Sequence, residues 1–283
     1  NVETVAGTNA RVDKSKAVFE AGGAGMVLVD NGVGLVAEVH SVPTVHVNNA
    51  DGVAIRAYAA TAGSTASIGT FSIGSSTVNA PVVANFSSRG PNRYDSNVMK
   101  PDLTAPGVDI IAGVTPGLTE AQRSELVNGS MTPPEAFAAY QGTSMSSPHV
   151  AGLAALLKQQ NPTWSPAAIK SALMTTGTMT FANGLLCAQE GRTPWSQGAG
   201  HVNPNGASDP GLVYDLTQLD YKKYMCGVGI ATQCSSGTMF GYNLNLPSIT
   251  VGNVLGSVTV TRTVKNVSAM GATYNASISV PGY

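Results

Sequence analysis

The sequence predicts an α/β protein of more than one domain that closes in a β-rich tail. Three observations predict it. Helix and strand signals alternate over residues 1–67. Two apolar helical runs, after Pro148 and after Ser165, follow a strand-like run at 109–114. Polar and apolar residues then alternate with period two over 257–264. At 283 residues with 43% hydrophobic positions, the chain is long enough to bury a real core.

In the first part, residues 15–21 read as a short helix stopped by Gly22-Gly23. Residues 25–29 read as an apolar strand and 42–47 as another. Asp51 reads as the cap of a helix running through Ile55 and Tyr58. The Gly22-Gly23 pair lacks the spacing of either nucleotide-binding loop.

From about Thr70 a second part begins. Residues 82–84 lead into the turn Ser87-Ser88-Arg89-Gly90-Pro91, and 109–114 read as a buried strand. Residues 115–139, with Pro116, Pro133 and Pro134, read as a surface excursion. A helix is predicted from about Pro148 to Lys158. Val150, Leu153, Ala154 and Leu157 recur on one face, and the small residues Ala151, Gly152 and Ala155 suit packing on the others. Ser165-Pro166 opens a further helix with a serine cap and a proline in its first turn. In the tail, 257–264 read as a half-buried strand broken at Asn266-Val267-Ser268, and 273–280 as another β run.

Composition narrows function. Only 11% of residues are charged and the net charge is −1, which gives no electrostatic case for nucleic acid or a charged membrane surface. No apolar run reaches spanning length. The three cysteines, Cys187, Cys226 and Cys234, have no zinc-site spacing, and no metal or cofactor is called for. Cys226 and Cys234 are eight apart in a Gly/Ser-rich stretch. Spacing alone leaves open a bridge there or three reduced thiols.

The run that carries chemistry is Gly142-Thr143-Ser144-Met145-Ser146-Ser147-Pro148-His149-Val150-Ala151-Gly152. It sets a serine just ahead of an apolar helix, where free N–H groups and the positive dipole end favour an oxyanion. Read alone, a Gly-x-Ser before a helix is better explained by a serine cap than by a nucleophile. A lipase-type nucleophile would have glycine two residues later, where this chain has Ser146. Of the four histidines, His149 lies five residues past Ser144, about 140° round the helix, and reads as a partly buried helix anchor. His40 and His46 lie in the first part and His201 in a glycine-rich loop. None is placed by sequence as a base for Ser144, and Asp102 reads as a loop residue.

The whole run resembles the active-site serine motif of the subtilisin-like serine proteases. Asn85-Phe86-Ser87-Ser88-Arg89-Gly90-Pro91, Lys100-Pro101-Asp102-Leu103-Thr104-Ala105-Pro106-Gly107, the helix at 164–176, Gly198-Ala199-Gly200-His201-Val202-Asn203-Pro204 and Asp209-Pro210-Gly211-Leu212-Val213-Tyr214-Asp215 extend the resemblance over most of the chain. Residues 9–28 are similar to the protease-associated (PA) domain of the large branch, and the tail to its fibronectin III-like domain. The resemblance implies a partial subtilisin-like parallel sheet with helices on both faces, preceded by part of a PA domain and followed by a truncated β-sandwich. The expected divisions are 1–67, 68–233 and 238–283.

The same resemblance implies a secreted serine endopeptidase acting on protein or peptide substrates, with Ser144 its nucleophile. The family's Asp-Thr-Gly, His-Gly-Thr and Gly-Asn-x-Gly runs, which carry the orienting aspartate, the base and the oxyanion asparagine, do not occur here. The expectation is a C-terminal portion whose upstream segment supplies all three groups. The competing expectation is an inert fragment or pseudoenzyme serving as a protein-binding or structural module. Secretion implies a Cys226–Cys234 disulfide with Cys187 left over, and gives meaning to the sequons at Asn85, Asn128, Asn266 and Asn275.

Overall fold

The computed structural model describes residues 10–30, 35–72, 80–134, 136–182, 185–186 and 194–278. They fall into two compact units. One comprises Asn1–Val78, Ala84–Ser87 and Pro106–Ser147, the other Asn79–Val83, Ser88–Ala105 and Pro148–Tyr283. Both units mix helices with short two-stranded sheets, consistent with a partial α/β fold. Of the four described pairs one is parallel, in the first unit, and three are antiparallel, so the expected parallel sheet of the catalytic portion is not seen among the described residues.

The first unit opens with α1 (Arg11–Glu20), followed by β1 (Met26–Val29), β2 (Thr44–Val47) and α2 (Asn49–Ala59). β1 and β2 pair in parallel, with Leu28 opposite His46. α1 starts four residues earlier than its apolar content suggests, and Ser15 is fully buried within it. The Ser15 hydroxyl donates to Val12 O (2.7 Å) and accepts from Ser41 N (3.1 Å), tying α1 to the loop before β2. The cap of α2 is Asn48, not Asp51. The Asn48 side chain accepts from Asp51 N (2.9 Å) and donates to the Asp51 carboxylate (2.7 Å). Asparagine can offer both an acceptor and a donor there, which aspartate cannot.

Next come β3 (Ile110–Gly113), α3 (Glu120–Val127) and β4 (Phe137–Tyr140). β3 and β4 pair antiparallel, Ile110 opposite Tyr140 and Gly113 opposite Phe137. The strand at 109–114 is therefore found but is not buried, since Ile111 is 76% exposed. The expected surface excursion holds a helix with a full capping box between Thr119 and Gln122 and ends in a strand.

In the second unit α4 (Thr143–Gln160) enters a core with α5 (Pro166–Thr175), α6 (Pro204–Ser208) and β7 (Leu212–Tyr214), which follow the short pair β5 (Phe181–Ala182) and β6 (Leu185–Leu186). Leu157, Trp164, Ala168, Ile169, Ala172, Leu173, Ala207 and Val213 form its centre, with Val150, Leu153 and Ala154 against it. The apolar face read from α4 is thus the face that packs. Its small-residue faces are not covered: Ala151, Gly152 and Ala155 are exposed among the described residues, as is Leu156. α5 is as expected, with the Ser165 side chain accepting from Ala168 N (3.0 Å) and Pro166 in the first turn. Buried Ser171 accepts from Tyr214 N (2.8 Å), locking α5 to β7. Helix α7 (Gln218–Gly227) follows with a capping box between Thr217 and Asp220.

The tail departs from expectation. Its strand is β8 (Val264–Asn266), paired antiparallel with β7 rather than lying within 257–264. Side chains take the backbone groups that a ladder would use. Asn245 accepts from Thr263 N (2.8 Å) and donates to Thr263 O (2.8 Å) and Asp215 O (2.9 Å). Arg262 donates to the carbonyls of Tyr242, Leu246, Ser248 and Thr261. The Thr261 carbonyl and both Thr263 backbone groups are thus taken by side chains, and among the described residues no strand pairs with 257–263. Residues 273–278 likewise form no strand, and 279–280 lie outside the described residues.

Candidate active site

β4 carries the chain through Gln141 to Gly142, and α4 starts at Thr143. Gly142 has φ +151, in the left-handed half of the map where a side chain is disfavoured. Its N–H donates to Gly107 O (2.8 Å), extending the β3–β4 pairing by one bond, and its carbonyl accepts from Met145 N (3.0 Å). A Cβ on Gly107 would lie 2.3 Å from Ser146 Oγ and 2.9 Å from Gly142 O, so only glycine lets that loop close on the helix start.

Ser144 therefore occupies the first turn of α4 and is exposed. Four residues on, Pro148 stands inside the helix rather than in its first turn. Having no N–H, Pro148 cannot bond the Ser144 carbonyl, so the helix lacks that bond at the serine. The sequence expectation placed Pro148 at the start because proline is favoured there. The glycine at 142 moves the start five residues earlier, and the orphan N–H groups of the first turn lie beside Ser144. Among the described residues no hydrogen bond reaches the Ser144 hydroxyl.

The other candidates take structural places. His149 is exposed on α4, not partly buried as expected. His201 bridges two segments through its backbone: its N–H donates to Thr178 O (2.7 Å) and its carbonyl accepts from Thr178 N (2.9 Å), beside Thr104. Burial holds its ring pKa below the usual value. The Asp102 carboxylate pairs with Lys170 (2.6 Å) and with Lys100, and its backbone carbonyl accepts from Ala199 N (2.9 Å). Cys226 and Cys234 form the disulfide, with Cα atoms 5.7 Å apart. Cys187 lies outside the described residues.

One cluster was not legible in sequence. Glu38, His40 and His46 bring a carboxylate oxygen and two imidazole nitrogens within 4.8 Å of one another. His40 Nε2 and His46 Nε2 are 2.8 Å apart. The only local signal is the Glu-x-His step in an extended segment, which puts both side chains on one side. The second histidine joins through the fold of the loop onto β2. Burial, and then the neighbouring His40, hold the His46 pKa below its usual value.

Sequence comparisons bear on the whole chain. A model described as the subtilase family matches residues 40–201, one of the PA domain residues 4–55, and one of a fibronectin type-III domain residues 243–283. Subtilisin-like protease SBT1.7 of Arabidopsis thaliana is 42% identical over 96% of this chain and 38% of its own length. From the same plant, SBT5.4 is 40% identical over 97% of this chain and 37% of its own, and SBT5.3 is 43% identical over 92% and 36%. The chain thus spans under two-fifths of these relatives. A solved structure of fervidolysin from Fervidobacterium pennivorans, a keratinolytic enzyme related to subtilisin, is 30% identical over 36% of this chain and 14% of its own, with a TM-score of 0.26.

Proposed function

This chain belongs to the subtilase family, and from that premise we propose that it is the nucleophile-bearing portion of a secreted serine endopeptidase. The reading divides it into a PA portion (1–67), a catalytic portion (68–233) and a fibronectin III-like portion (238–283). Ser144 is the nucleophile. Its Oγ attacks the scissile carbonyl of a protein substrate while its proton passes to a histidine outside this chain, oriented there by an aspartate. The C–N bond then breaks, the proton goes to the leaving amine, and water hydrolyses the acyl-enzyme. The tetrahedral oxyanion is held by the Ser144 N–H at the head of α4 and by an asparagine outside this chain.

The observation that carries this reading is the exposed serine in the first turn of an 18-residue helix, behind a glycine at φ +151. The Cys226–Cys234 disulfide supports an oxidising compartment. No described helix is long and apolar enough to cross a membrane.

The test is labelling by a fluorophosphonate. The intact protease takes one label, lost in Ser144→Ala. The isolated chain, with no base supplied to Ser144, is labelled roughly a thousandfold more slowly or less. A label retained at full rate by Ser144→Ala overturns the assignment.

A further inference from the structure

We propose that Glu38, His40 and His46 form a binding site for a single divalent transition-metal ion of the zinc type, apart from the protease chemistry. Two imidazole nitrogens and a carboxylate are the donor set of a three-ligand zinc site with one open position. A site for calcium or magnesium would gather oxygen atoms instead.

The geometry is close to what such an ion needs. All three donor atoms lie within 4.8 Å of one another. In a tetrahedral site with Zn–N near 2.0–2.1 Å, two ligating nitrogens stand about 3.3 Å apart. The two Nε2 atoms are at 2.8 Å, so opening by roughly half an ångström, with the ring N–H between them moved to Nδ1 of the same ring by tautomerisation, makes room for the ion. The rings, tilted 54° with centroids 5.0 Å apart, meet through their Nε2 atoms rather than by stacking their faces.

Support around the donors is in place at Glu38 and His46, while the buried His40 Nδ1 has no hydrogen-bond partner among the described residues. Arg11 grips Glu38 by two bonds, Nε to Oε2 at 2.6 Å and Nη2 to Oε1 at 3.1 Å. Each carboxylate oxygen has a second lone pair, so the guanidinium orients the group without consuming it, as an outer-shell partner does. His46 is fixed on β2 by the parallel ladder to β1. The loop bearing His40 is fixed by buried Val42 and by the bond from Ser41 N to Ser15, and the backbone ahead of Glu38 by Ala37 N donating to Asp109 Oδ1 (3.0 Å). All three donor residues are half-buried. With three protein ligands rather than four, micromolar binding is expected rather than the tightness of a structural zinc finger.

The experiment is calorimetric titration of Zn(II) into the full protein, free of any histidine tag and carrying Ser144→Ala to prevent self-digestion. One equivalent binds with a micromolar dissociation constant. His40→Gln and His46→Gln each weaken it at least ~10-fold, as loss of a ligand requires, and Arg11→Gln weakens it by about 10-fold. No binding, or binding unchanged in both histidine variants, overturns the proposal. Visible absorption of the Co(II)-loaded protein without those histidine changes gives a second reading independent of variant folding. Strong d–d bands of a four- or five-coordinate ion support the site, and the faint spectrum of octahedral aquo cobalt overturns it.

Discussion

Gly107 and Ser146 meet so closely that a methyl group on the first would lie 2.3 Å from the hydroxyl of the second. The contact sits two residues past Ser144, within the first turn of α4, and ties Pro106-Gly107 to the head of that helix through the bond from Gly142 N to Gly107 O. Gly107→Ala must therefore push either the Ser146 side chain or the Gly142 carbonyl, the second of which is backbone. The expected cost is about 1–3 kcal/mol of stability, as for other overpacked sites. In the intact protease a fall in kcat accompanies it, because Gly142 sets the position of Ser144. Adding Ser146→Gly removes the side-chain clash but leaves the carbonyl contact at 2.9 Å, so melting temperature recovers only in part. Full recovery would show that the backbone contact is immaterial.

Asp102 gives an acid-side prediction. Burial alone would raise its pKa, but Lys170, together with Lys100, outweighs that and holds it below 3.8. A carboxylate depressed on folding stabilises the fold above its unfolded pKa and loses that contribution as pH falls through the folded value. Asp102→Asn should therefore lower the denaturant midpoint most at pH 5–7, and the gap from wild type should shrink below about pH 4. A gap that stays constant down to pH 2 would mean that the ion pairs with Lys100 and Lys170 contribute nothing.

His201 acts in the opposite charge sense. Burial lowers its ring pKa from 6.5 and so favours the neutral form in the fold. Below that pH the unfolded chain binds a proton that the folded chain resists, so stability falls as pH drops from 6.5 toward the folded value. His201→Gln should flatten this limb while keeping the backbone bonds to Thr178. Equilibrium unfolding at pH 7.5 and pH 5.5 checks it: the wild type loses more stability between the two than the variant does.

How much of this was readable depends on the range of the forces involved. α5 was legible because its determinants are local: a Ser165 cap, Pro166 in the first turn and a buried face within ten residues. The packing face of α4 was legible for the same reason, through Val150, Leu153, Ala154 and Leu157. Its start was not. Proline preference points to Pro148, whereas the helix begins where Gly142 docks on Gly107, thirty-five positions earlier in the chain. The tail failed on the same ground, since Asn245 and Arg262 satisfy backbone groups that alternation alone assigns to a strand. Ser144 could be singled out from its own run, but the Glu38–His40–His46 cluster depends on the loop folding back on β2.

The last prediction concerns the Cys226–Cys234 disulfide, which joins the end of α7 to the loop after it across eight residues. A cross-link this short removes little loop entropy from the unfolded chain, on the order of 2–3 kcal/mol by the chain-entropy estimate. Its local consequence is larger than its global one. The bridge closes residues 227–233, and the chain runs on from it to Met239, whose N–H donates to Lys223 O (3.0 Å) and whose carbonyl would lie 2.1 Å from a Cβ on Gly227. Freed of the bridge, residues 227–239 are held by those backbone contacts and by bonds such as Ile230 N to Met225 O (2.9 Å). Cys226→Ser with Cys234→Ser should thus lower the melting temperature by several degrees and speed amide exchange across that segment first, while exchange in α5 changes only as global stability does. Thiol counting on the denatured, unreduced chain checks the starting point: one free thiol, that of Cys187, fits the bridge. Three free thiols, or exchange that quickens equally in α5 and in 227–239, would show that the disulfide does not pin this loop.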